Sequence, residues 1–318
     1  MGEKLVVTGA SGFLGSALCK LAMSKGYEVV GLDKASATME LNEYIKGDIR
    51  NAYDVMRAFK GADMVIHTAA ITVNSIFEQN PREGISTNVE GFHNVLQVAK
   101  ELRVRRFLYA SSSYVYTNNR GDLDTSYSED EPLDSYHQRN MYAKSKMQNE
   151  MTAEFYNDLY ALTKGKSGFS SLGIRYFNLY GIGEHTKGEY TSVLSKFIGN
   201  RKSGERIEVY KQLNLPPGKL AGAAKDMVHV NDAAEITLRL LKTEECGIVN
   251  CGTGVATAYS DIAEMIHPGK WAWAENPLTT YQAWTQASTK KLKSIIGEYE
   301  FITVRKGVEE QLKHHKLI

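Results

Sequence analysis

The most constraining feature of the sequence is the stretch of residues 5–15, where a short apolar run is followed by three glycines at three-residue intervals. The run predicts a buried strand, and the helical spacing of the apolar residues after Gly12 predicts a helix directly behind the turn. In that context Gly9 makes the sharp turn, Gly12 lets the backbone approach a pyrophosphate, and Gly15 allows the helix to pack closely on the strand. The stretch predicts the first unit of a dinucleotide-binding fold; a glycine-rich turn without a ligand is the alternative.

The composition excludes several classes of protein. Of the 318 residues, 38 are Lys or Arg and 37 are Asp or Glu, so no strong net charge attracts nucleic acid or an anionic membrane. No apolar run reaches membrane-spanning length and no signal peptide precedes the first predicted strand, which predicts a cytoplasmic protein. The three cysteines show no CxxC spacing. We therefore predict no metal site and no disulfide, and interpret all three as buried small residues.

The second predicted strand ends in a carboxylate. Asp33 follows the glycines at the distance where a dinucleotide fold uses an acidic side chain to accept hydrogen bonds from the adenosine ribose. The same charge would repel a 2′-phosphate, which favours NAD over NADP. The neighbouring Lys34 could offset this charge and leaves NADP open. Asp48, further along, is either the N-cap of the next helix or a contact to the adenine edge.

Two more stretches of the first half suit a flat cofactor. Residues 63–70 predict a buried strand that runs into the small residues Thr68, Ala69 and Ala70. His67 in this strand is interpreted as a structural histidine rather than a proton carrier. Asn88 opens the following predicted helix, where a capping or buried hydrogen-bonding role is the alternative to a cofactor contact.

The chemical centre of the sequence is a tyrosine–lysine pair. Tyr142 and Lys146 are four residues apart on a predicted helix and therefore share one face. A free tyrosine, with a pKa of about 10, is a poor base, but a neighbouring ammonium and a nicotinamide cation would favour its phenolate. Ser112, at the end of the predicted strand 106–113, can hydrogen-bond the same substrate oxygen. The group predicts removal of a proton from an alcohol, coupled to hydride transfer.

With these motifs, the chain resembles the extended short-chain dehydrogenase/reductase superfamily, the nucleotide-sugar epimerases and dehydratases. The resemblance covers nearly the whole chain and lies in residues 8–15, 65–70, 110–116, 142–146, 174–181 and 250–254. It implies that Ser112, Tyr142 and Lys146 are the catalytic residues. It also implies that Tyr176 and Asn178 lie near the nicotinamide and the sugar nucleotide.

Within that superfamily, residues 175–188 and 281–287 are most similar to the ADP-L-glycero-D-manno-heptose 6-epimerases. This similarity implies that Lys187 is a second acid/base facing the catalytic tyrosine across the sugar; a solvated loop lysine is the alternative. The dehydratases carry an acidic pair where Ser113 and Tyr114 stand here, which disfavours elimination of water.

The resemblance also has departures at the substrate end. Lys225 and Thr280 stand where arginines that grip a diphosphate are expected, and a lysine cannot reproduce a bidentate guanidinium contact. These replacements leave the identity of the sugar nucleotide open.

Motifs and resemblance together give the predicted site. The cofactor-binding residues are Gly9, Ser11, Gly12, Phe13, Leu14, Gly15, Asp33, Lys34, Asp48, Ile49, Thr68, Ala69, Ala70, Asn88, Tyr142, Lys146 and Tyr176. The substrate-binding residues are Ser113, Asn178, Lys187, Lys225 and Tyr281, and the catalytic residues are Ser112, Tyr142, Lys146 and Lys187.

The expected fold is an α/β doubly wound parallel sheet of Rossmann type with a smaller C-terminal substrate domain. We assign residues 1–181 and 226–250 to the dinucleotide-binding domain, and residues 182–225 and 251–318 to the substrate domain. The resemblance further implies a homodimer formed through the helix that carries Tyr142.

The resulting hypothesis is an NAD(P)-dependent nucleotide-sugar epimerase. Its substrate would be a nucleotide diphosphate sugar, and nucleotide-linked heptoses are among the candidates. The chemistry would be transient oxidation to a keto sugar followed by return of the hydride. One alternative is a dehydrogenase or reductase that releases the keto sugar. A non-catalytic regulator that senses the dinucleotide is another, and the tyrosine–lysine pair argues against it.

Overall fold

The computed structural model describes residues 2–116, 126–138, 140–162, 169–184, 191–211, 222–276 and 283–318. Its strands are β1 (Lys4–Thr8), β2 (Glu28–Asp33), β3 (Glu43–Lys46), β4 (Met64–His67), β5 (Arg106–Ser112), β6 (Ser170–Tyr176), β7 (Asn178–Tyr180), β8 (Ile207–Tyr210), β9 (Ala224–His229), β10 (Gly247–Cys251), β11 (Ala256–Ala258), β12 (Trp271–Ala274) and β13 (Trp284–Thr285). Its helices are α1 (Phe13–Ser24), α2 (Ala52–Phe59), α3 (Asn74–Gln79), α4 (Pro81–Ile85), α5 (Gly91–Glu101), α6 (Met141–Leu162), α7 (Val193–Ser203), α8 (Val230–Leu241), α9 (Tyr259–Ile266), α10 (Lys290–Ile296) and α11 (Val304–His314).

Seven parallel strands form the main sheet, in the order β10-β6-β5-β4-β1-β2-β3. Successive residues of β1 point to opposite faces, so Leu5 and Val7 belong to one buried cluster and Val6 belongs to another. Helices α1 and α8 contribute to the first cluster, whereas α2 and α5 contribute to the second. A parallel sheet covered on both faces needs such continuously apolar strands. The predicted doubly wound sheet is confirmed.

The strand order reverses at β1, because β2 and β3 lie on one side of it and β4, β5, β6 and β10 on the other. At such a reversal the connections leave the sheet in opposite directions and open a crevice at the carboxyl ends of the strands. The turns that follow β1, β4 and β5 all lie at this edge. They carry the glycines, the small residues 68–70 and the serines that the sequence singles out.

A second, four-stranded sheet lies beyond the main one. Strand β9 pairs with β11, β13 and β7, while β8 pairs with β12 in a separate two-stranded ribbon. The four-stranded sheet draws β7 and most of β9 from the ranges assigned to the dinucleotide-binding domain, and β11 and β13 from the substrate ranges. Segments far apart in sequence are thus joined close to the crevice.

The Asp226 side chain holds segments of this second sheet together through hydrogen bonds. Its carboxylate is fully buried and accepts hydrogen bonds from the Thr253 amide (2.8 Å) and hydroxyl (2.7 Å), the Gly254 amide (2.9 Å) and the Ala287 amide (3.0 Å). Three chain segments therefore depend on one side chain. These contacts make Asp226 a structural residue.

None of the helices in the described ranges has the length and apolar character that crossing a bilayer requires. Within the same ranges no group of three or more His, Cys, Asp or Glu side chains is arranged to hold a metal ion. The three cysteines are free thiols. Cys19 and Cys251 are buried as predicted, but the prediction is wrong for Cys246, which is half-buried because it lies in the loop before β10.

The Asp226→Asn substitution should lower the free energy of unfolding by about 2 to 3 kcal/mol, because an amide turns a second donor toward the backbone N–H groups that the carboxylate now satisfies. Urea unfolding followed by circular dichroism measures the change. Asp261→Asn, on the first turn of α9 and exposed, is the control and should stay within about 0.5 kcal/mol of the parent protein. Equal stability of the two variants would contradict the fastening role.

Candidate active site

A cavity of about 1470 Å³ opens at the carboxyl ends of the main sheet. It extends from the turn after β1, past the ends of β4 and β5, to α7 and β8. An extended molecule that binds along this length would touch both the glycine turn and the smaller sheet.

The glycine turn forms one end of the cavity. Gly9 has a positive φ of 73°, and a Cβ atom there would lie 2.7 Å from the Ala69 amide nitrogen. A Cβ atom on Gly15 would collide with the Gly9 carbonyl oxygen, so both positions require glycine. Helix α1 begins at Phe13, directly after Gly12, and points its free N-terminal amides at the cavity, which suits a pyrophosphate. All six predicted residues of the turn lie in the wall: Gly9, Ser11, Gly12, Phe13, Leu14 and Gly15.

Asp33 lies in the same wall, at the end of β2. Its carboxylate accepts hydrogen bonds from the Ser11 amide (3.0 Å) and the Ala35 amide (2.9 Å), which fix its orientation beside the glycine turn. The Lys34 ammonium lies 3.6 Å from Asp48 and 3.7 Å from Glu83, so its charge is already matched by carboxylates. The charge of Asp33 is therefore not offset by its neighbour, and a 2′-phosphate is disfavoured there.

The structure decides one of the two roles considered for Asp48, that of the N-cap. Its carboxylate pairs with Arg50 (2.6 Å), and this pairing lowers the pKa of Asp48 even though burial acts in the opposite direction. The N-cap of α2 is Asn51, not Asp48, because the Asn51 side chain accepts from the Tyr53 amide. The cavity wall contains Gly47 and Ile49 on either side of Asp48.

The segment after β4 lines the cavity with Thr68, Ala69 and Ala70. Asn88 is buried within a π-helical turn (Ser86–Glu90) and exchanges hydrogen bonds of 2.8 Å with both the amide and the carbonyl of Ile71. Of its two expected structural roles, the buried one is therefore correct and the capping one is not. Asn88 positions the cavity segment from behind.

The tyrosine–lysine pair and the serines come together at the centre of the cavity. Ser112 ends β5, Ser113 opens the 3-10 turn Ser113–Val115, and Tyr142 lies on the first turn of α6; all three line the cavity. Lys146 is one turn further along α6, is only 2% exposed, and donates to the Ala110 carbonyl at 2.8 Å. Its Nζ lies 5.8 Å from the centre of the Tyr142 ring.

Burial shifts the pKa values of both Tyr142 and Lys146. Burial raises the pKa of Tyr142 to about 12; the Ser112 hydroxyl acts in the opposite direction and lowers it. Burial also lowers the pKa of Lys146 to about 8, against the charge of Glu150, which raises it. The sequence prediction of a phenolate combined the ammonium with a nicotinamide cation; in the protein on its own, burial keeps Tyr142 in its neutral form.

A buried ion pair that the sequence analysis did not predict supports this centre. Glu150, two turns beyond Tyr142 on α6, holds Arg175 of β6 through bonds of 2.9 and 2.7 Å and accepts a 2.5 Å hydrogen bond from the Ser111 hydroxyl. Arg175 also donates to the Tyr116 hydroxyl at 2.9 Å. The sequence shows that Lys146 and Glu150 share one face of a predicted helix. It does not show that Arg175 of β6 lies opposite Glu150.

The substrate end is only partly as predicted. Tyr176 and Asn178 line the cavity; the Tyr176 hydroxyl bonds Thr237 at 2.6 Å, and the Asn178 amide donates to the Asp226 carbonyl and the Thr285 hydroxyl. Lys225 is 2% exposed and outside the cavity wall, and burial lowers its pKa to about 7.

Lys187 and Tyr281 lie outside the described residues. The far wall contains the side chains of Lys196, Asn200, Arg206, Glu208, Tyr210 and Tyr259. Their positions follow from α7, β8 and α9 folding against one another, which a local pattern does not predict.

A doubly wound parallel sheet, with a glycine turn and an acidic strand end beside one cavity, defines a dinucleotide-binding α/β enzyme fold. Residues 5–252 match the model of the NAD dependent epimerase/dehydratase family. The chain belongs to that family, which makes it an NAD-dependent enzyme and confirms the resemblance and the predicted cofactor.

Similar proteins include two epimerases. The ADP-L-glycero-D-manno-heptose-6-epimerase of Brachyspira hyodysenteriae is 27% identical over 326 residues, covering 96% of each chain. The protein CapI of Staphylococcus aureus is 29% identical over 256 residues, which cover 75% of this chain and 69% of that protein. The solved structure of a UDP-glucose 4-epimerase from Thermotoga maritima with UDP-glucose superposes with a TM-score of 0.84 at 21% identity, over 99% of each chain.

We expect the Asp33→Asn substitution to weaken NAD binding about tenfold and to narrow the preference for NAD over NADP, because the charge that repels a 2′-phosphate is removed. Isothermal titration with both dinucleotides measures the two affinities. Glu40→Gln, an exposed charge removal on the loop that follows β2, is the control. An unchanged ratio of the two affinities would show that another residue makes the selection.

The Glu150→Gln substitution should cost about 3 kcal/mol of unfolding free energy, since Arg175 would keep a buried charge without its partner. It should also lower the pKa of Lys146, because the Glu150 charge now raises it. The ammonium exists below that pKa, so the alkaline decline of kcat/KM should move to lower pH.

Chemical unfolding and a pH–rate profile measure the two effects. Glu154→Gln, one turn further along α6 and exposed, removes the same charge outside the pair and serves as the matched control. An unchanged pH–rate profile in Glu150→Gln would show that the ion pair does not influence the catalytic step.

Proposed function

We propose that the protein is an epimerase of nucleotide-linked sugars that works by transient oxidation of one sugar hydroxyl to a ketone. The observation that carries the proposal is the position of Tyr142 and Ser112 in the same cavity as the glycine turn and Asp33. A dinucleotide held along that turn would bring its reactive ring toward the hydroxyls, because β1 and β5, separated only by β4, both end at the same edge of the sheet and Tyr142 on α6 lines the same cavity.

The residues divide the chemistry between them. NAD supplies the hydride acceptor when it is bound. Tyr142 takes the proton from the sugar hydroxyl as the carbon–hydrogen bond is broken, and gives it back when the ketone is reduced. Ser112 donates a hydrogen bond to the same oxygen, and the buried Lys146 ammonium favours the phenolate that the proton transfer requires. Inversion follows if the ketone turns its other face before reduction.

The far half of the cavity supports a nucleoside diphosphate as the carrier of the sugar. Lys196 and Arg206 offer two cations to the phosphates beside the carboxylates of Glu205 and Glu208, and Tyr210 and Tyr259 offer aromatic surface to a base. The 27% identity with a heptose epimerase over nearly the full length makes an ADP-linked heptose the first substrate to test.

Lys187 keeps its proposed role as the acid/base on the opposite side of the sugar, by resemblance alone. Ser113 and Asn178 are proposed sugar-side contacts and Tyr176 is a proposed cofactor contact, because all three line the cavity. Lys225 and Tyr281 also stay proposals from the resemblance.

We further propose a homodimer formed through α6. This helix exposes Met151 (69%) and Phe155 (60%) away from the cavity, and large apolar side chains on one surface helix favour a partner. The three free cysteines fit a reducing compartment, which is the basis for proposing the cytoplasm.

The Tyr142→Phe substitution should lower kcat by a factor of about 10² to 10⁴, the usual contribution of a positioned acid/base. Turnover of ADP-L-glycero-D-manno-heptose, UDP-glucose and GDP-mannose, followed by proton NMR, measures inversion. The absorbance of reduced nicotinamide measures oxidation. Tyr53→Phe, an exposed tyrosine on α2, is the control.

Two outcomes would change the proposal. Inversion at the normal rate in Tyr142→Phe would remove the tyrosine from the chemistry. Reduced nicotinamide that accumulates in step with a released keto sugar, without inversion, would instead identify a dehydrogenase.

A further inference from the structure

A second tyrosine stands beside the catalytic one. Tyr114 lies in the 3-10 turn after β5 and lines the cavity together with Ser112, Ser113 and Tyr142. The centres of the Tyr114 and Tyr142 rings are 6.4 Å apart and the ring planes meet at 73°, an edge contact. The two phenols therefore share one chamber.

The backbone of Tyr114 is fixed on both sides. Its amide donates to the Ser112 hydroxyl at 3.2 Å, and its carbonyl accepts from the Gln138 side chain at 2.9 Å. These bonds fix the main chain from which the side chain starts, and the edge contact with Tyr142 limits where the ring can lie.

The hydroxyl of Tyr114 differs from those of its neighbours. Tyr116 and Tyr176 are buried, and their hydroxyls bond Asn250 (2.8 Å) and Thr237 (2.6 Å). Tyr114 is 40% exposed, and its hydroxyl has no hydrogen-bond partner among the residues that the structure describes. A partly exposed phenol in a cavity wall, with its donor unused, is a typical ligand contact.

The ionisation of Tyr114 and that of Tyr142 influence each other. Burial raises the pKa of Tyr114, and a charge on Tyr114 would raise the pKa of Tyr142 as well. Two phenolates this close repel each other, so only one of them ionises. If Tyr142 acts as the base, Tyr114 remains a neutral hydroxyl that can donate a hydrogen bond.

We propose that Tyr114 is a second substrate-binding hydroxyl, which hydrogen-bonds the sugar at the carbon next to the one that Tyr142 oxidises and thereby selects the sugar configuration. This proposal rests on the proposed function, because it assumes that a sugar occupies the chamber. Tyr114 moves no proton in the reaction. It holds the sugar so that the reacting hydroxyl faces Tyr142 and Ser112.

The experiment compares the parent protein with Tyr114→Phe, which keeps the ring and removes only the hydroxyl. With ADP-L-glycero-D-manno-heptose and UDP-glucose as probes, we expect kcat/KM to fall about tenfold for whichever one reacts, the effect of one lost hydrogen bond. The NAD content and the affinity for ADP or UDP alone should not change. Tyr136→Phe, with 87% of the residue exposed, is the matched control.

A deoxy derivative of the reacting sugar makes the test specific. The derivative that lacks the hydroxyl next to the oxidised carbon should react about tenfold more slowly than the sugar in the parent protein and equally fast in Tyr114→Phe, because the same bond is removed from either side. Circular dichroism and thermal unfolding show whether the variant is folded.

The outcomes separate this proposal from the proposed function. Unchanged kcat/KM in Tyr114→Phe, or an equal loss of affinity for ADP and UDP alone, overturns the role of Tyr114 while the epimerase proposal stands. If neither probe nor GDP-mannose is oxidised by the parent protein, the proposed function fails and the role of Tyr114 fails with it.

Discussion

The buried ion pair between Glu150 and Arg175 is the interaction on which the active-site geometry depends. It joins α6, which carries Tyr142 and Lys146, to β6. Glu150 accepts a hydrogen bond from Ser111, the residue before Ser112. Arg175 donates to the Tyr116 hydroxyl, which in turn donates to Asn250 of β10. Both charges are nearly excluded from water, so the pair persists only because each oxygen and nitrogen has a partner. One helix and three strand ends are thereby held in a single arrangement.

The same burial decides how the catalytic side chains behave. Desolvation raises the pKa of Tyr142 to about 12 and lowers that of Lys146 to about 8, so at neutral pH the phenol is neutral while Lys146 is still an ammonium. The carboxylate of Glu150 supports the ammonium from within the same helix. A ligand that brings positive charge next to Tyr142 would shift the balance toward the phenolate. The site is therefore built so that the reactive state depends on what the cavity holds.

The parts of the structure that the sequence predicts are those encoded locally. The glycine turn, the alternating burial of β1 and the helix behind Gly12 all lie within about twenty residues of one another. The contacts that the sequence did not reveal are long-range: Arg175 meets Glu150 across 25 positions, and Asn88 meets Ile71 across 17. Asn51 replaced Asp48 as the N-cap because Asp48 is engaged by Arg50. The burial that raises the pKa of Tyr142 could not be read from residue spacing either.

The four-stranded sheet has a consequence for how the protein folds. Its strands come from positions 178 to 285, and Asp226 closes a loop to Thr253 and another to Ala287. Contacts of such large sequence separation form late, because the entropy of closing long loops is lost before the contacts compensate for it. The cavity wall runs from Gly9 to Tyr259, so an N-terminal fragment emerging from the ribosome has only half a binding site. The wall of the cavity is therefore complete only after α9, which carries Tyr259, has docked.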